Sequence, residues 1–86
     1  MKIREGYKIL NIGGNNVLCD LNDKPLENEI VISKIGLFLW DMFKNGEVTN
    51  NDMLNCLLQN FEISTVLALS EIDKFVRIMK ENGIIE

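Results

Sequence analysis

Few side chains in this 86-residue chain are of the kinds that do chemistry, and their spacing narrows the choice further. Histidine is absent, which removes the commonest general base and the commonest metal-binding ring. The two cysteines, Cys19 and Cys56, lie far apart, and neither has a recognisable activating partner nearby. A Cys/His zinc site is therefore not expected. Both thiols are read as free, packed or half-exposed side chains in a reducing compartment. The carboxylate pairs Glu27/Glu29 and Glu71/Asp73 are common surface arrangements without an acid–base signature. Gly13-Gly14 fits neither a phosphate-binding loop nor a dinucleotide fingerprint, and reads as a turn. The sequence thus argues for no catalytic residue, no metal and no cofactor, and favours binding over turnover.

Composition sets the frame in which a binding surface must be sought. With 47% hydrophobic and 26% charged residues, the chain is of globular type, read as a single domain over residues 1–86 with one modest core. The formal charge is -4, from 13 acidic and 9 basic residues, which argues against a nucleic-acid partner that would demand a basic face. No apolar run reaches membrane-spanning length, and MKIREGYKIL lacks the apolar centre of a secretory signal. A cytoplasmic protein without a membrane partner is expected.

The elements that would position such a surface follow from periodicity. Tyr7–Ile12 is rich in strand formers, Gly13-Gly-Asn-Asn16 is a turn, and Val17, Cys19 and Leu21 alternate toward one side, giving a β-hairpin. After the Asn22–Pro25 loop, Glu29–Ile32 is a short third strand leading directly into a helix. Ser33 is placed to cap that helix, which is apolar nearly all round through Ile35, Phe38, Leu39, Trp40, Met42 and Phe43 and stops at Asn45-Gly46. Gly36 in its first turn is unfavourable, by about 1 kcal/mol relative to Ala, unless another backbone passes close by. Thr49-Asn-Asn-Asp52 predicts a capping box opening a second helix to about Asn60. A third helix is expected from about Thr65 to Asn82, ended by Gly83, with Ile84-Ile85 folding back on the core. The order is β-β-β-α-α-α. It specifies an α+β fold, a small winged helix-turn-helix-like domain with a three-stranded antiparallel sheet (1–32) followed by three helices (33–86).

At about 100° per residue, Ala68, Leu69, Ile72, Phe75, Val76 and Met79 form the core stripe of the third helix. Asp73, Lys74, Arg77, Lys80 and Glu81 lie opposite. Leu67, Glu71 and Ile78 line one edge of the stripe beside Phe75, so apolar surface spills over that flank. Either the sheet covers the spill-over, or a groove lies open between the helix and the free edge of the third strand. Such an edge suits β-augmentation, in which an added peptide strand gains backbone hydrogen bonds and alternate side chains give specificity.

The segment Ile32-Ser-Lys-Ile-Gly-Leu-Phe-Leu-Trp-Asp-Met-Phe-Lys-Asn-Gly46 resembles the opening helix of PqqD-like proteins, named for pyrroloquinoline quinone biosynthesis protein D. Thr49-Asn-Asn-Asp-Met-Leu is similar to that family's second helix start. Glu71-Ile-Asp-Lys-Phe-Val-Arg-Ile-Met-Lys-Glu-Asn-Gly-Ile-Ile85 resembles its ending. The departures are Ser33 for the usual Asn, Ile35 for a frequent Thr, and Glu71 for Asp. The resemblance implies a precursor-peptide recognition element: a non-catalytic chaperone or adaptor that binds the leader of a ribosomally made precursor as an added strand. It would then present that peptide to a modifying enzyme, commonly a radical S-adenosylmethionine protein. The implied groove uses Glu29, Ile30, Val31 and Ile32 on the strand and Leu67, Glu71, Lys74, Phe75 and Ile78 on the helix. A homodimer through the free strand edge stays open, and the alternative function is a winged-helix DNA-binding regulator.

Overall fold

Gly13 and Gly14 both adopt positive φ (59° and 87°), the backbone that a two-residue hairpin turn demands at its two central positions. That turn fixes the register of β1 (Tyr7–Ile12) against β2 (Asn15–Asp20), pairing Ile9 with Leu18 and Leu10 with Val17. A computed structural model describes every residue from Met1 to Glu86. β3 (Val31–Ile32) pairs antiparallel with β2, so the sheet order is β1-β2-β3 with β2 in the centre.

Val17 and Cys19 share one side of β2 and are buried, as the alternation predicts, but Leu21 does not join them. Leu18 is buried as well, while Leu21 lies beyond the strand end, 66% exposed. The central position of β2 explains the burial on both faces. Leu18 faces the helices, and Val17, on the opposite face, is flanked by Leu10 and Val31 on the neighbouring strands. The third strand is also shorter than the Glu29–Ile32 expected. Leu18 N–H still donates to Ile30 C=O (3.0 Å), but Leu18 C=O accepts from Leu26 (3.4 Å), and Asp20 N–H donates to Lys24 C=O (2.9 Å). The edge of β2 is thus divided between residues 24–26 and 30–32, which leaves β3 two full residues.

The helices begin where capping chemistry places them. Ser33 Oγ accepts from Gly36 N–H (3.0 Å) to start α1 (Lys34–Met42), which tightens into a 3-10 turn over Phe43–Asn45 before Gly46 at φ 115°. Thr49 and Asp52 complete the capping box of α2 (Asn50–Asn60). Thr49 Oγ1 accepts from Asp52 N–H (3.1 Å), and Asp52 Oδ2 accepts from Thr49 N–H (2.9 Å). Ser64 Oγ accepts from Leu67 N–H (3.1 Å) at the start of α3 (Thr65–Glu81). Past Gly83 the chain reverses, and Ile84 and Ile85 are buried beside an N-terminal arm joined by the Ile3–Ile85 bridge.

One apolar cluster of 14 buried residues draws on every layer: Leu18 and Ile32 from the sheet, Leu39 and Trp40 from α1, Met53 and Leu57 from α2, and Ala68, Ile72, Phe75 and Met79 from α3. Phe43 stacks on Phe75 at 6.1 Å, and Phe38 meets Phe61 edge-on at 5.2 Å. Leu69 does not belong to this core as its periodicity suggested; it is 50% exposed. It shares its side of α3 with Val66, also exposed, whereas α1 and α2 cover only the face carrying Ala68, Ile72, Phe75 and Met79.

Candidate functional site: a groove between the third strand and the third helix

Hydrogen-bond parity decides which backbone groups the sheet leaves free. Because Leu18 bonds to Ile30, the Val17–Val31 pair across the same ladder is the non-bonded kind. The N–H and C=O of Val31 therefore point away from β2, along the free edge of β3. Its side chain, 52% exposed, stands on the outer face, while Ile32 turns inward at 6%.

Beside this edge, a groove of about 260 Å³ separates β3 from α3. Val31, Ile32, Ser33 and Gly36 form one wall, and Glu71, Lys74, Phe75, Ile78 and Met79 form the other. Ile32, Gly36, Phe75 and Met79 are buried and make an apolar floor. The Gly36 position is crowded: a Cβ there would lie 2.8 Å from Ile32 Cγ2, 3.3 Å from Ser33 Oγ and 3.7 Å from Phe75 Cδ1. Side chains, not a passing backbone, are what require glycine here. At the rim, Lys74 Nζ lies 3.7 Å from Glu71 Oε1, a loose pair whose lysine is largely in solvent.

Past Val31 and Ile78 the groove continues into a second, more polar cleft lined by Asn28, Glu29, Ile30, Glu81 and Asn82. Asn82 is fixed there, since its side-chain amide donates to Ile78 C=O (2.8 Å).

Of the residues named from the sequence, Val31, Ile32, Glu71, Lys74, Phe75 and Ile78 meet in the first groove, and Glu29 and Ile30 line its continuation. Ile32 and Phe75 contribute as floor, with little surface of their own. Leu67 does not join them: it lines neither cleft and projects into solvent, 52% exposed, one turn before Glu71. Ser33, Gly36, Met79, Asn28, Glu81 and Asn82 were not singled out for the site. Glu81 and Asn82 follow Ile78 at helical spacing, so continuing the same flank by one turn finds them.

The sheet has a second free edge, on β1, where the same parity exposes the backbone of Tyr7, Ile9 and Asn11. A larger cleft of about 410 Å³ lies beside it against Trp40 and Leu37. It is ringed by Arg4, Glu5, Lys8, Asp41 and Lys44, and Lys8 is ion-paired to Asp23. Charged edges of this kind discourage strand addition. The β3 groove, with an apolar floor and only Glu71 and Lys74 charged, is the better template.

No cluster of His, Cys, Asp or Glu is arranged to hold a metal ion, and no helix is long and apolar enough to cross a membrane. Asp52, at the start of α2, is held below its ordinary 3.8, chiefly by the hydrogen bond from Thr49 N–H and then by the Thr49 side chain, and its part is structural.

A three-stranded antiparallel sheet followed by three helices, with a strand-edge groove against the last of them, defines a small α+β domain of winged helix-turn-helix type. A solved structure shares this fold: TbiB1 in complex with the TbiA(beta) leader peptide, with a TM-score of 0.72 over 100% of this chain and 95% of that one. The two sequences are 15% identical, so the likeness is one of fold. No family model matches the chain, and no curated protein matches it in sequence.

Proposed function

We propose that this chain is a non-catalytic peptide-binding adaptor that takes up the leader segment of a ribosomally made precursor as an added strand on β3. It presents the bound precursor to a modifying enzyme, for which the PqqD-like resemblance suggests a radical S-adenosylmethionine protein. The observation that carries this reading is the groove itself. A free backbone edge at Val31 lies directly beside an apolar trough on α3, which is the pairing of features that β-augmentation uses. The fold shared with TbiB1, a protein solved bound to a leader peptide, supports the same choice.

A winged-helix DNA reader is the competing use of the fold. The outward face of α3 interleaves Asp73 and Glu81 with Lys74, Arg77 and Lys80, and the whole chain carries a charge of -4, so it offers little to neutralise phosphates. The test is a titration of the 15N-labelled protein with synthetic leaders from short reading frames beside its gene. Shifts at Glu29–Ile32 and Glu71–Ile78 are expected. Steeply salt-dependent binding to duplex DNA, with no response to any leader, would replace this function with the rival.

A further inference from the structure

We infer that the strand taken up on β3 is selected for a basic residue two positions from an apolar one, an inference that rests on the groove being a peptide site as proposed above. In a strand paired to β3, the residues that turn toward α3 are those lateral to Ile32 and to Ile30, because these two side chains face inward while Val31 faces out. They are two residues apart in either strand direction, roughly 6–7 Å along the chain.

The surroundings of these two positions differ. The residue beside Ile32 meets the floor of Gly36, Phe75 and Met79, which takes an aliphatic or aromatic side chain. The residue beside Ile30 enters the cleft where Glu29 and Glu81 stand. Neither carboxylate is among the ion pairs of the chain, which join Arg4 to Glu86, Lys8 to Asp23, Lys44 to Asp41 and Lys74 to Glu71. The cleft holds no cation of its own: its other lining residues are Asn28, Ile30, Val31, Ile78 and Asn82. A Lys or Arg of the incoming strand supplies that charge, and an acidic residue there is repelled by both carboxylates. The side-chain carbonyl oxygens of Asn28 and Asn82 can accept hydrogen bonds from the same cationic head.

Selection of random 12-residue peptides displayed on phage against the immobilised full chain tests this, followed by amide-shift mapping of the synthetic winners. The expected winners shift Val31–Ser33 and Glu71–Ile78 and carry Lys or Arg two residues from an apolar anchor. Replacing that base by Glu is expected to weaken binding about tenfold, and the Glu29→Lys/Glu81→Lys double variant to reverse the preference. Winners that map to the groove but tolerate Glu in place of the base overturn the charge selection and leave the peptide site standing. Winners that leave those amides unmoved, or the absence of any winner, overturn both.

Discussion

Val31→Pro separates strand addition from other ways of using the same groove. The Val31 N–H faces the free edge and makes no bond to β2, so proline removes nothing from the existing ladder. Its side chain is already 52% exposed, so the change in burial is small. Proline also narrows the unfolded ensemble, by about 0.4–1 kcal/mol where the native backbone suits it. Stability is therefore expected to stay within about 1 kcal/mol of the parent. Binding should respond very differently. An added strand loses one backbone hydrogen bond, about 0.5–1.5 kcal/mol, and strands a carbonyl whose desolvation costs about 1–3 kcal/mol. Together these weaken the complex by about 10- to 1,600-fold, at about 1.4 kcal/mol per decade. Isothermal titration with a groove-binding peptide measures the loss, urea unfolding checks stability, and Val31→Thr, which keeps the N–H, is the control. Equal affinity for the proline and threonine variants, with stability intact, would refute strand addition at this edge.

Four further outcomes follow from the geometry. Ile78→Asp places a charge where the two clefts join and is expected to weaken peptide binding at least about tenfold while the far-ultraviolet circular dichroism stays that of the parent. Leu67→Ala should leave both affinity and stability unchanged, within about 0.5 kcal/mol, because the side chain touches neither cleft. Gly36→Ala gains about 1 kcal/mol of helix propensity but drives its Cβ against Ile32 Cγ2, an overpacking cost of about 1–3 kcal/mol. A lower urea midpoint is expected, and a stabilised variant would contradict the crowding. Asp52 has a folded-state pKa below its unfolded value of 3.8, so its contribution is present above that pH and is lost as pH falls through the folded value. Asp52→Asn should flatten the acid limb of a Tm-versus-pH curve, leaving the α2 cap weaker at neutral pH.

Signals confined to neighbouring residues were legible in the chain alone. The Thr49–Asp52 box, the Ser33 cap and the turn after Ile12 each depend on a few adjacent side chains, and each forms, although the turn closes within Gly13-Gly14 and leaves Asn15 and Asn16 to β2. Burial that depends on which element lies opposite is not legible in the chain alone. Alternation in β2 cannot reveal that β1 and β3 flank Val17 while β1 and Pro25 flank Cys19, and a helical wheel cannot tell that nothing lies over Leu69. The shortening of β3 arises from competition for one carbonyl, Leu18 C=O, which Leu26 takes. The flank Glu71, Phe75, Ile78 was visible as an excess of apolar surface. Its boundary was not, because Leu67 shares the periodicity while lying past the end of the groove.

The most direct test of strand addition on β3 is hydrogen exchange, amide by amide, with and without a groove-binding peptide. Strong new protection is expected at Val31, whose N–H has no partner in the sheet, while Tyr7, Ile9 and Asn11 on the opposite edge exchange as before. Protection of Tyr7, Ile9 and Asn11, with Val31 unchanged, would place the peptide on β1 and contradict the account.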